Sequence, residues 1–121
     1  GMHGIPGDMT PPSRFVRAAF YQASAPKYED TGKTVEQAFH ILNNFDIPVG
    51  IQFAAGQTVP DIPSATQWTV ATDITKRRIY YRTMHDATIR CFDLNAIRFD
   101  KASYKWAPLD KEKRQMVIMV K

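Results

Sequence analysis

The run PSRFVRAAF sets two arginines, Arg14 and Arg17, three residues apart among Phe15, Val16, Ala18, Ala19 and Phe20. That separation is close to one helical turn, so both guanidiniums fall on roughly one face. A plain core helix would put apolar side chains there, and the pair needs a reason beyond packing. Cys91 with His85 and Asp86 offers a different chemistry, because a thiolate is nucleophilic and a nearby imidazole can take the thiol proton. Strand alternation nevertheless sends Cys91 toward a core face, and His85-Asp86 reads as a polar turn between strands. The cysteine is therefore expected to be structural.

The remaining reactive side chains give less. His40 follows Phe39 in a helical stretch with no second ligand at metal spacing, so a surface or packing role is expected. His3 stands near the terminus without a recognisable partner. One cysteine excludes an internal disulfide and a cysteine-based zinc cluster. Neither a Walker loop, a dinucleotide-binding glycine turn nor a GxSxG elbow occurs, and GIPGD has neither their spacing nor a preceding strand. No cofactor and no metal are expected.

The elements that must position these residues follow from pattern. Thr10 followed by Pro11 reads as an N-cap with proline at the first helical position, opening a helix that runs to about Ala23. Thr34 and Gln37 have capping-box spacing, and Val35, Ala38, Phe39, Leu42 and Phe45 recur at helical intervals before Asp46-Ile47-Pro48 stops them. From Val49 to Ser64 the glycines and prolines show no strong period, which predicts an irregular, ligand-facing connection. Alternation of Trp68, Val70 and Thr72 with Gln67, Thr69 and Ala71 predicts a strand. DITK turns it into a second, RRIYYRT. A third strand has Ile89 and Cys91 on one face and Arg90, Phe92 and Leu94 on the other. A polar loop over 99–112 carries Tyr104 and Trp106, and RQMVIMV at 114–120 predicts a buried closing strand. Trp68, Tyr80, Tyr81 and Trp106 are expected to pack against other layers rather than stack on bases. Two helices followed by about four strands predict an α+β fold, the helices packed on one face of an antiparallel sheet.

With 121 residues, a single domain over 1–121 is expected. Apolar residues make up 44% and charged residues 23%, ordinary globular values. No stretch approaches the ~20 consecutive apolar residues of a membrane span, and no membrane partner is expected. The net charge of +4 is scattered, with KRR at 76–78 and a self-neutralised DKEKR at 110–114. A solvated surface explains it better than a nucleic-acid partner.

The opening stretch GMHGIPGDMTPPSRFVRAAF resembles the choloylglycine hydrolases and penicillin V acylases, linear-amide C–N hydrolases of the N-terminal-nucleophile superfamily. The later TQWTVATDITKRRIYYRTMHDATIRCFDL is similar to that family's hairpin after the second helix, in the same order and at comparable separation. Together they span nearly the whole chain and correspond to the C-terminal part of the family's domain. The resemblance implies part of a four-layer αββα sandwich. It implies a cysteine at the mature N-terminus whose own α-amino group is its base, attacking an amide carbonyl to form a thioester that water hydrolyses. An arginine of that site corresponds to Arg14, where a fixed cation would favour thiolate and hold the charge developing on the amide. Arg17 is then expected as a structural ion-pair partner, and Asp8 as the residue that orders the PGD turn and the helix entrance.

The chain departs from the family at its start. It opens on Gly1, without the leader pattern of a secreted protein and without an N-terminal cysteine, and Cys91 has no free amine beside it. The expectation is a C-terminal segment, inactive alone, whether a shortened piece, a cleavage product or a gene remnant. Its partner would be the missing part of the same domain or a second copy, with a small-molecule amide as substrate once complete. A non-catalytic binding or scaffold domain of acylase-like shape is the alternative. NNFDIPVGI and TQWTVATD resemble the Gram-negative branch, commonly periplasmic, whereas Gram-positive members are cytoplasmic.

Overall fold

The computed structural model describes residues 3–51, 54–60 and 64–121. Backbone contacts divide the chain into two compact units, Gly1–Ala65 and Thr66–Lys121. The first carries the helices and the second the sheet.

Helix α1 spans Pro11–Ser24, with Thr10 extended at its N-cap and prolines at its first two positions. Prolines are tolerated there because the first turn has no intrahelical use for their missing N–H groups. Ala25 leaves the helix in an extended conformation and Pro26 follows, which forbids continuation. Helix α2 spans Thr31–Leu42 and runs into a short 3-10 turn over Asn43–Phe45. It starts four residues earlier than the capping-box spacing predicts, with Asp30 rather than Thr34 at the N-cap. The Asp30 carboxylate accepts the Lys33 N–H at 2.7 Å, whereas the Thr34 hydroxyl donates back to the Asp30 carbonyl at 3.0 Å. A carboxylate at a helix N-terminus also opposes the positive end of the helix dipole, so Asp30 outcompetes Thr34 as the cap. Phe39 is the buried residue of α2. Phe45 lies in the 3-10 turn, its ring edge-on to Tyr21 of α1 with centroids 6.4 Å apart. Around the residues outside the description, segments 46–51 and 54–60 form no helix or strand. The ligand-facing expectation for 49–64 falls partly on residues 52, 53 and 61–63, outside the described residues.

The sheet is antiparallel, in the order β1 (Trp68–Asp73), β2 (Arg78–Thr83), β3 (Arg90–Asp93). The α+β class holds, with three strands instead of four. Register puts Val70, Tyr81 and Arg90 in one cross-strand row. That face therefore also holds Trp68, Ile79, Thr83 and Phe92, and Cys91 lies with Tyr80 on the opposite face. Tyr81 and Phe92 stack at 5.1 Å, 10° from parallel, and the Arg90 guanidinium lies 4.7 Å from the Tyr81 ring centroid.

Three expectations fail in this unit. Residues 115–121 form no strand, and Met116 to Val120 are 63–91% exposed. An apolar run suits a strand, but a strand exists only through a ladder partner, and among the described residues this run has none. Trp68 and Trp106 are exposed rather than packed in a layer. Cys91 is exposed as well. Among described apolar residues only Phe39 and Tyr81 are buried.

Candidate active site

The first turns of α1 and the loop before it, residues 5–9, hold Asp8, Arg14 and Arg17. Asp8 is the centre of a local network. Its carboxylate accepts the Thr10 N–H at 2.8 Å, the Thr10 hydroxyl, and the Ser13 hydroxyl at 2.6 Å. These bonds, the Ser13 one foremost, lower its pKa from 3.8 to about 2. Asp8 thus orders the turn and the helix entrance. Thr10 takes the N-cap position, yet its hydroxyl makes no capping bond and turns to Asp8 instead.

Arg17 is 5% exposed. It donates from Nη1 to the carbonyls of Pro6 at 2.8 Å and Asp8 at 2.7 Å, and Nη2 lies 3.9 Å from the Met9 sulfur. Its guanidinium carbon sits 5.4 Å from the centroid of the Phe45 ring. In place of the expected ion pair, Arg17 has two carbonyls and a ring, while the Asp8 carboxylate is committed to Thr10 and Ser13.

Arg14 differs in every respect. Its backbone N–H makes the first helical bond, to the Thr10 carbonyl at 3.0 Å. Its side chain is only partly buried, and among the described residues no acid or carbonyl is bonded to the guanidinium. Two prolines remove the first amide donors of α1, and Asp8 fills the space before it, so the helix end itself has little left for an anion. A guanidinium such as that of Arg14 is a planar fork of donors, a shape that matches a carboxylate or an oxyanion.

The Cys91 constellation does not assemble. Cys91 pairs with Tyr80 across the strands. The Asp86 carboxylate accepts the Thr88 N–H at 2.9 Å and the Gln115 side-chain N–H at 3.2 Å. Among the described residues no hydrogen bond joins Cys91 to His85. His85 lines a shallow cleft of about 230 Å³ with Trp68, Leu109 and Lys113. His40 is an exposed surface residue, 3.7 Å from Glu36 one turn earlier.

One cluster was not legible in sequence. Arg90 donates to the Asp110 carboxylate and the Leu109 carbonyl, both at 2.8 Å, and to the Thr83 hydroxyl at 3.3 Å. Burial pushes the Asp110 carboxyl up, but the bonds from Arg90 and Thr83 hold it below its usual range. The sequence places Arg90 only on a strand face with Phe92 and Leu94; the partners nineteen to twenty residues away leave no signal.

Residues 1–106 match the family described as linear amide C–N hydrolases, choloylglycine hydrolase family. The chain belongs to that family. It is 34% identical over 100 residues to a bile salt hydrolase/transferase of Clostridium perfringens, covering 83% of this chain and 29% of that protein. A bile salt hydrolase/transferase of Lactiplantibacillus plantarum is 32% identical over 110 residues, 90% of this chain and 32% of that one. The crystal structure of a cysteine-to-alanine mutant of the conjugated bile acid hydrolase from Clostridium perfringens superposes with a TM-score of 0.71 at 29% identity, over 100% of this chain and 35% of that one. Penicillin V acylase from Agrobacterium tumefaciens gives 0.62 at 26% identity, over 77% and 28%. The chain of this family member thus spans about a third of the length of these relatives.

Proposed function

We propose that these residues are the C-terminal segment of an amidase domain that hydrolyses linear amide C–N bonds, with Arg14 as the anion-stabilising residue of its active site. The carrying observation is the contrast on α1: Arg17 is consumed by the fold, and no side chain or carbonyl among the described residues bonds the Arg14 guanidinium. In the reaction, the cysteine sulfur attacks the amide carbon, the carbonyl electrons move to oxygen, and the oxyanion collapses as the protonated amine leaves. Water then attacks the thioester by the same route and returns the thiol. Arg14 would donate to the oxygen in each oxyanion. The sole cysteine among the 121 residues, Cys91, stands within β3, so the nucleophile is to be sought outside them. Conjugated bile salts and penicillin V are the substrate types that the relatives' names suggest.

The test is hydrolysis by the full-length protein of a glycine-conjugated bile salt and of penicillin V, with Arg14→Lys and Arg14→Ala beside the parent. Loss of one donor to an oxyanion costs about 10²–10³ in kcat, so Arg14→Ala should fall by at least 100-fold. Activity surviving Arg14→Ala within threefold removes Arg14 from the site. Hydrolysis of neither amide by the full-length parent favours the non-catalytic binding domain.

The same reading makes the exposed run 116–120 a surface for association, with the rest of the domain or with a second copy. Sizing should give a species heavier than 13.8 kDa for the 121-residue chain at high concentration, reduced by Ile118→Lys with Val120→Lys. A strictly monomeric parent would count against it.

A further inference from the structure

Resting on the amidase reading, we infer that Arg17 is a positioning residue, clamping loop 5–9 along α1 so that Arg14 and the loop present one fixed surface to the substrate. The loop is held to the helix at two places. At the first turn, the Asp8 carboxylate takes the Thr10 N–H and the Ser13 hydroxyl. One turn later, Arg17 takes the backbone carbonyls of Pro6 and Asp8. Ser13 and Arg17 are four residues apart and are the two buried residues of α1, so the loop lies along a single stripe of the helix. Arg14 borders that stripe, one residue after Ser13 and one turn before Arg17.

The choice of arginine follows from the chemistry of the clamp. Among the described residues no backbone N–H outside the helices and strands bonds the Pro6 or Asp8 carbonyl, so the donor comes from a side chain. A long side chain with several fixed donors can reach two carbonyls two residues apart, and a charged donor makes the stronger bond. Using carbonyls rather than a carboxylate leaves Asp8 free for the helix entrance. It also makes the second tie independent of acid titration. The Phe45 ring, 5.4 Å from the guanidinium carbon, faces the cation from the turn after α2 and narrows its rotamers. Without the clamp the loop would keep one attachment and swing about it, and the substrate would meet Arg14 in many geometries instead of one. Misplacement on the order of 1 Å is enough to cost about 100-fold in rate.

The experiment has two arms on Arg17→Met and Arg17→Lys. In the 121-residue chain, hydrogen exchange should show faster exchange at the Thr10 N–H and through residues 7–9 in Arg17→Met, with the β1–β2 amides keeping parental protection. In the full-length protein, kcat for the amide that the parent hydrolyses should fall 10–100-fold in Arg17→Met with KM within threefold. Arg17→Lys, which keeps the charge and one carbonyl bond, should recover at least half of that loss on a logarithmic scale. A kcat for Arg17→Met within twofold of the parent, or equal losses in the two variants, overturns the positioning role while leaving the amidase reading standing. If Arg17→Met also loses β1–β2 protection, the kcat comparison is made on Arg17→Lys, and faster loop exchange in that variant with kcat within twofold of the parent overturns the positioning role. A full-length parent inactive on both amides overturns the two readings together, and loop exchange alone then describes a fold tie.

Discussion

Each unit of the chain sinks one arginine beside aromatic rings, and the two are satisfied in opposite ways. Arg17, in the helical unit, takes two carbonyls from nine and eleven residues upstream and no carboxylate. Arg90, in the sheet unit, takes a carboxylate and a carbonyl from twenty and nineteen residues downstream. The first clamps a local loop beside Arg14. The second ties an otherwise irregular tail to a sheet, a long-range closure whose entropy cost has to be offset by a stronger bond. Local geometry can be held by carbonyls; a distant segment here needs an ion pair.

The largest stability effect should therefore come from the sheet unit. Asp110 is 9% exposed in its side chain and Arg90 25%, so Arg90→Met leaves a carboxylate desolvated without its cation and removes the cation above Tyr81. Breaking a pair that is only partly screened should cost about 2–4 kcal/mol. Both tryptophans, Trp68 and Trp106, lie in this unit, and urea unfolding followed by their fluorescence reads it directly. A shift under about 0.5 kcal/mol, the range of an exposed pair, would mean that the tail is not held through Arg90. The double variant Arg90→Met with Asp110→Leu should recover part of the loss, since no buried charge then stands alone.

What sequence could and could not convey follows the same division. Helix α1 was legible because Thr10, the two prolines and Pro26 act through local sterics. The β1–β2 hairpin was legible because its alternation and its DITK turn are adjacent in the chain. The start of α2 was missed where two local signals competed, Asp30 against Thr34, and charge decided. Arg14 and Arg17 were recognised as a pair needing explanation, and the resemblance set Arg17 apart as structural, but its partners depend on where the Pro6 and Asp8 carbonyls point, which no spacing rule encodes. The run 114–120 was read as a strand from its residues alone. Strand formation depends on a neighbour, and the described residues supply none.

Acid should separate the two ties by their chemistry. A carboxylate whose folded pKa lies below its unfolded value adds stability above the unfolded value and loses it as pH falls through the folded one. For Asp8 that contribution is complete above 3.8 and is lost as pH falls through about 2. Asp110 also sits below its usual value, so the Arg90 tie weakens below 3.8 as well, while the carbonyl bonds of Arg17 have no titrating acceptor. Carboxyl NMR from pH 5 to 1.5 should find Asp8 titrating near 2, and Ser13→Ala should move it back toward 3.8. An Asp8 titrating near 3.8 in the parent would mean that the Ser13 and Thr10 bonds are not held in solution.

The smallest effect sits at the end of the β1–β2 turn. Arg77 has φ of +55°, the one left-handed non-glycine among the described residues. Its position is forced: the Asp73 carboxylate takes the Lys76 N–H at 2.9 Å on one side, and the Arg77 carbonyl takes the Leu94 N–H at 2.9 Å on the other. Left-handed backbone costs an L-residue about 1–2 kcal/mol, and glycine escapes that cost while adding freedom to the unfolded chain. Arg77→Gly should therefore stabilise the sheet unit by about 0.5–1 kcal/mol, the difference of those two effects, and Arg77→Val should destabilise it by more than that because a β-branched side chain fits this region worst. The glycine gain leaves the Arg90 tie untouched, so the two substitutions should add within about 0.5 kcal/mol. A glycine that gives nothing would mean that Arg77 relaxes to negative φ in solution, and the Leu94 N–H would then exchange as if unbonded.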